Sequence, residues 1–107
     1  MPHLDLKYSA DIALDAGEVL RGVEEIIQRH DAGSGACKGR AYPAPVFQHR
    51  HLIAEISLLP KAHRDAAFMA ALRDELADYL RGHLPRPCAF SLDLRFSGEH
   101  YLTEMLE

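Results

Sequence analysis

Cysteine is scarce in this chain, with only Cys37 and Cys88 among 107 residues and no CxxC pairing. That excludes a disulfide framework and a cysteine-built structural zinc site. The two thiols read instead as small buried groups in a reducing compartment. An excess of positive charge is missing as well. The formal net charge is −4, whereas a nucleic-acid-binding domain presents a basic surface. Small acidic substrates stay open, because two or three local arginines suffice for those. No apolar run approaches the ~20 residues that cross a bilayer, and the first residues lack the pattern of a signal peptide. The expectation is a cytoplasmic protein with neither a membrane nor a nucleic-acid partner.

What remains is an ordinary globular balance. Apolar residues make up 48% of the chain and charged residues 26%, enough for a modest core in one domain spanning residues 1–107. Hydrophobic periodicity then divides the chain. Residues 3–8 alternate, with Leu4, Leu6 and Tyr8 on one side and His3, Asp5 and Lys7 on the other, which predicts a half-buried strand. After the connection "SADIALDAG", Val19, Leu20, Val23, Ile26 and Ile27 recur at helical spacing. That helix should stop near His30, ahead of the breaker-rich "DAGSG".

"ACKGRAY" predicts a short second strand that "PAP" interrupts. "RHLIAEISLL" predicts the longest strand, with Leu52, Ala54, Ile56 and Leu58 on one face and Pro60 at its end. A second amphipathic helix runs from Asp65 to about Arg81 and stops at Gly82 and "LPRP". "CAFSLDLRF" closes the pattern as a fourth strand. The order is strand–helix–strand, twice over. Right-handed crossovers make the strands of each half parallel. The fold class is therefore α+β (α/β by some schemes): two β-α-β units form a four-stranded mixed sheet with two helices on one face. The other face carries His3, Asp5, Lys7, Glu55, Ser57, Asp93 and Arg95. Oligomerisation is one way to manage such a face and its open edges.

Chemistry is suggested first by Pro2. Proline is tolerated at the start of a strand, so its position alone is unremarkable. It is also small enough to permit removal of the initiator methionine, and the exposed nitrogen is then a secondary amine. An α-amino group titrates near ~7.7–8.0, and burial or nearby cations lower that value. Such a base suits abstraction of an acidic C–H proton. Arg40 in "CKGR" and Arg64 in "KAHRD" are candidates to hold an anionic substrate, because a guanidinium grips carboxylates with a two-pronged fork and stabilises a developing enolate.

The stretches "MPHLDLKYSADI", "CKGRAY", "EISLLPKAHR" and "FSLDLRF", in this order, resemble the 5-carboxymethyl-2-hydroxymuconate isomerases of the tautomerase superfamily. The most specific matches are "MPH" with its "YS", the basic pair in "CKGR", and "HRD" ahead of the second helix. The resemblance implies a tautomerase-like fold, a homotrimer with active sites at subunit boundaries, and no cofactor. It implies Pro2 as general base and then general acid. Lys38, Arg40 and Arg64 would bind carboxylates and polarise the 2-oxo group of an unsaturated 2-oxo or 2-hydroxy di- or tricarboxylate. The setting implied is breakdown of aromatic compounds by the homoprotocatechuate route.

This chain departs from the family pattern at Lys38, where arginine is usual; lysine offers a point charge without the fork. The stretch from Tyr42 to His51 and the tail after Phe96 are short. Two alternatives stand beside this reading: a tautomerase of a different 2-oxo acid, and a non-catalytic trimeric binding module of the same fold. The histidines suggest no metal. His49 and His51 share a strand face by spacing, with His3 a candidate neighbour, but no supporting carboxylate is placed to help. His3 reads as a packing residue beside Pro2.

Overall fold

The alternating head of the chain forms strand β1 (His3–Ser9), in a computed structural model that describes all residues from Met1 to Glu107. Leu4 and Leu6 are wholly buried and Tyr8 nearly so. Helix α1 (Ala16–His30) follows. Asp15 caps it by accepting a hydrogen bond from the Glu18 N–H at 3.2 Å, satisfying one of the free donors of the first turn. The connection before it is more than a spacer, because Ile12 is buried in the core.

Strand β2 (Lys38–Ala44) pairs parallel to β1. It runs through Pro43 rather than stopping there, with Tyr8 opposite Pro43 and Ser9 opposite Ala44. The expected break is corrected by topology. The sheet order is β2-β1-β3-β4, where β3 is His51–Leu58 and β4 is Ala89–Phe96. Being an edge strand, β2 can carry a residue without an N–H. His49 lies outside β3, in the preceding loop with a φ of 64°, so it shares no strand face with His51.

β3 runs antiparallel to β1, and β4 runs parallel to β3. Each half of the chain is thus a parallel β-α-β unit, and the two units join along the central β1–β3 seam. Helix α2 (Ala66–Arg81) belongs to the second unit. Its cap, Asp65, accepts from the Phe68 N–H at 2.9 Å. One core joins both units: Leu4, Leu6, Val19, Val23, Ile27, Leu52, Ile56, Leu72, Leu76 and Leu80 all contribute to it. Truncating one of its buried leucines to alanine costs about 2–5 kcal/mol.

The helices approach closely where α1 carries Gly22. A Cβ there would fall 1.9 Å from the Tyr79 hydroxyl, and that hydroxyl donates to the Glu18 carbonyl at 3.2 Å. Glycine at this position lets the α2 tyrosine lie across α1. No helix is long and apolar enough to cross a membrane.

The opposite face of the sheet is a charge network. Lys7 meets Glu55 at 2.8 Å, Arg95 meets Asp93 at 2.8 Å, and Arg40 pairs with Asp5. The alternation that buried Leu4 and Leu6 sets these residues on the outer side.

Candidate functional site

Pro2 sits at the head of β1 with its ring fully buried, on the same side as Leu4 and Leu6. Its carbonyl accepts the Lys38 N–H at 2.8 Å, so the residue is fixed to β2 from its carboxyl side. Parity places Lys38 opposite His3 and Arg40 opposite Asp5. Both basic side chains therefore belong to the polar face, beside the chain start.

Arg64 arrives from the other unit. The turn after Pro60 is closed by the Arg64 N–H donating to the Lys61 carbonyl at 2.9 Å. The Arg64 side chain, only 2% exposed, then crosses to the end of α1. There Nε and one terminal nitrogen reach Asp31 at 2.9 and 2.8 Å, while the other terminal nitrogen donates to the Leu59 carbonyl at 2.7 Å. Every nitrogen of this guanidinium thus already faces an internal oxygen.

Asp31 gathers several donors. It also accepts from the Gly33 N–H at 3.2 Å and meets His63 at 2.7 Å. His63's hydrogen bond is the largest influence holding its carboxyl down, to about 2, with Arg64 adding to it against an opposing desolvation cost. A carboxylate at a helix C-terminus opposes the helix dipole, and Arg64 compensates it.

The electrostatics converge on the amino terminus. The terminal amine of Met1 is held below its ordinary value of 8.0, first by burial and then by the charges of Lys61, Arg64 and Lys38. Arg40 acts one step away. It pairs with Asp5, donates to the Lys38 carbonyl at 3.3 Å, and points its terminal nitrogens at His3 Nδ1 from 3.4 and 3.5 Å. His3 is held below its usual range by burial first and Arg40 second.

The structure therefore brings Pro2, Lys38, Arg40 and Arg64 to one end of the sheet. Lys38 and Arg64 act on the amine directly, whereas Arg40 acts on His3. Sequence reasoning passed over Lys61, Asp31 and Tyr101. Asp31 stood in a stretch read only as a helix breaker, although an aspartate just past a helix end commonly accepts from the next turn. Tyr101 lies in the tail after β4, and no periodicity marks it. Its hydroxyl is 3.0 Å from His3 Nε2 and 3.5 Å from the Met1 carbonyl oxygen.

A broad surface depression lies elsewhere. It is an open groove of about 700 Å³ on the helix layer, lined by charged residues such as Glu18, Arg21 and Glu25, and none of the four residues singled out from the sequence lines it. His51 Nδ1 is occupied by the His49 carbonyl at 2.8 Å.

No protein-family model matches the chain, and no curated protein sequence does. Solved structures do. A 5-carboxymethyl-2-hydroxymuconate delta-isomerase aligns with a TM-score of 0.75 at 23% identity, covering 98% of this chain and 88% of that one. A 5-carboxymethyl-2-hydroxymuconate isomerase from Deinococcus radiodurans R1 gives 0.78 at 18% identity, covering 99% and 90%. A macrophage migration inhibitory factor-like protein from Entamoeba histolytica gives 0.62 at 15% identity, covering 96% and 95%. Shared across such low identities, the common element is architecture, and this chain has the tautomerase-like fold.

Proposed function

We propose that this chain is a cofactor-free isomerase that moves a proton between carbons of an unsaturated 2-oxo or 2-hydroxy di- or tricarboxylate. The Pro2 nitrogen, freed by removal of Met1, takes the proton as base and returns it as acid. The observation that carries this reading is the setting of the amino terminus. Burial and three cations disfavour protonation of the Met1 amine, one residue ahead, and the freed Pro2 nitrogen would share that cationic setting, as a base working near neutrality requires. The same cations attract a polyanionic substrate and stabilise the charge it develops.

Lys38 is half-buried at the head of β2 and gives a carboxylate a point charge beside the base. Arg40 borders the site on the polar face. Arg64 contributes as a buried charge behind it, since Asp31 and the Leu59 carbonyl hold its fork. A homotrimer fits the outer surface: β2 and β4 are open edges, and Val46, Leu102 and Leu106 are at least 80% exposed. On this reading the reaction belongs to aromatic-compound breakdown, as on the homoprotocatechuate route.

A second reading is favoured by one observation. Arg40 and Arg64 are both paired with internal carboxylates, as in a non-catalytic trimeric module that keeps the fold. Intact mass of the isolated protein separates the two. A chain beginning at Pro2 that isomerises 2-oxo or 2-hydroxy dicarboxylates faster than monocarboxylates, and that scatters light as a trimer, is the expected result. A retained Met1 with no turnover would transfer the chain to the second reading, because an acylated nitrogen has no basic lone pair.

A further inference from the structure

The tail after β4 is tied down at few points. The Ser97 N–H donates to the Leu58 carbonyl at 2.7 Å, and the Tyr101 N–H closes a turn onto Gly98 at 3.1 Å. Beyond it Leu102, Met105 and Leu106 are 80%, 68% and 82% exposed. Tyr101 is where this segment grips the body of the molecule. Its ring meets the His3 ring edge-on at 6.1 Å, and its hydroxyl lies between His3 Nε2 and the Met1 carbonyl oxygen.

We infer that Tyr101 is the hydrogen-bond donor to the 2-oxo oxygen of the substrate, with His3 as the positioning residue that aims it. The inference rests on Pro2 being the base. Donor polarity along the contacts supports it. A guanidinium has only donors, so His3 Nδ1, facing Arg40 at 3.4 and 3.5 Å, is the accepting nitrogen. The proton of the neutral ring then sits on Nε2 and is donated to the tyrosine oxygen at 3.0 Å. The tyrosine's own O–H is left to donate onward. The only further acceptor it meets is a carbonyl oxygen, that of Met1, at 3.5 Å.

That carbonyl is bonded to the Pro2 nitrogen. From standard peptide dimensions, the hydroxyl therefore lies within about 6 Å of that nitrogen. The span suits the chemistry. A base reaches a C–H carbon from about 3 Å, the adjacent carbonyl oxygen is about 2.4 Å beyond that carbon, and a donor sits about 3 Å further, along a bent path of roughly 5–7 Å. In the first step the Pro2 nitrogen takes the proton, the C–H pair forms the new carbon–carbon double bond, and the carbonyl pair moves to oxygen. Tyr101 keeps its proton and hydrogen-bonds the oxyanion. In the second step the carbonyl reforms, and the prolinium returns the proton to the distal carbon.

The test is Tyr101→Phe in the full chain, which keeps the ring against His3 and removes only the hydroxyl. With a 2-oxo dicarboxylate substrate, kcat should fall about 10²-fold, the usual effect of losing one oxyanion donor, with KM raised up to about tenfold and the thermal midpoint nearly unchanged. Calorimetry with 2-oxoadipate and adipate supplies a readout that needs no turnover. Wild type should prefer the 2-oxo acid by about tenfold, the scale of one hydrogen bond, and the variant should lose that preference while binding adipate as before. Wild type that binds both diacids equally, or neither, overturns the assignment, as does a variant with unchanged kcat and preference. A wild-type preference that is lost in the variant, without turnover in either, keeps Tyr101 as the 2-oxo donor and removes Pro2 as base.

Discussion

The two β-α-β units are built alike, and the likeness reaches individual hydrogen bonds. In the first, the Pro2 carbonyl accepts the Lys38 N–H at 2.8 Å; in the second, the Arg50 carbonyl accepts the Ala89 N–H at 3.1 Å. His3 begins one central strand and His51 the other. Asp15 and Asp65 cap their helices in the same way. Yet the chemistry is one-sided. Where the first unit presents Lys38 and Arg40 on its edge strand, the matching positions of the second hold Ala89 and Ser91. Where the first has a proline behind a single residue, the second has Arg50, held by Asp11 and the Pro87 carbonyl. Architecture is repeated, but the proposed base belongs to one copy alone.

The largest expected effect follows from that end. Inserting one residue between Met1 and Pro2 leaves the proline nitrogen an amide whatever is trimmed before it. Proton transfer should then be lost by several orders of magnitude, about 10³-fold or more given what a positioned base contributes, with an unchanged secondary-structure spectrum. A matching insertion ahead of Arg50 should leave the rate per folded molecule as it was. Normal turnover by the Pro2-extended protein would reduce Pro2 to the counterpart of Arg50.

Next comes the pair of arginines that each tie a loop to the body. Arg64→Ala strands Asp31 beside a buried space, so urea unfolding should show a loss of about 3–5 kcal/mol. Arg50→Ala, at a site 38% exposed, should cost below about 1 kcal/mol. His63, with Arg64 adding to it, also makes the first unit acid-sensitive. The Asp31 carboxyl, at about 2 when folded, lies below its ordinary 3.8. Its stabilising share is therefore complete above about pH 4 and fades as pH falls toward about 2. Asp31→Asn should flatten that part of the acid-unfolding curve.

The smallest effect is a shift in a pH profile. Lys61 is the leading charge that holds the Met1 amine below 8.0, and the Pro2 nitrogen follows one residue on. Lys61→Gln should move the acidic limb of the rate to higher pH, because the amine then keeps its proton longer. Arg50→Gln should not move it. A limb that stays put in the Lys61 variant would leave burial, Arg64 and Lys38 to set the amine.

Much of this fold was legible in the sequence because periodicity is a local property. The alternation of Leu4, Leu6 and Tyr8, and of Leu52, Ala54, Ile56 and Leu58, became the buried sides of the two central strands. Pro43 misled because whether a proline ends a strand depends on having an empty side, and edge position is decided by the whole sheet. The candidate site was only half legible. Pro2, Lys38 and Arg40 sit on strands whose parity places them. Arg64 was visible as a charge, but its pairing with Asp31 joins residues 33 apart in sequence. Tyr101 meets His3 across 98 residues. Contacts of that kind leave no spacing to read.

The bond from Lys38 to the Pro2 carbonyl has one more consequence. It grips the first strand by the carboxyl side of Pro2, and proline has no N–H of its own to contribute upstream. Met1 adds no rung to the sheet; its carbonyl meets only the Tyr101 hydroxyl, at 3.5 Å. Trimming the chain back to Pro2 therefore unties nothing in the ladder. Under the proposed function, removal of Met1 would be structurally silent, so a spectroscopic or thermal comparison of trimmed and untrimmed protein should hardly distinguish two forms that the proposal holds to differ in reactivity.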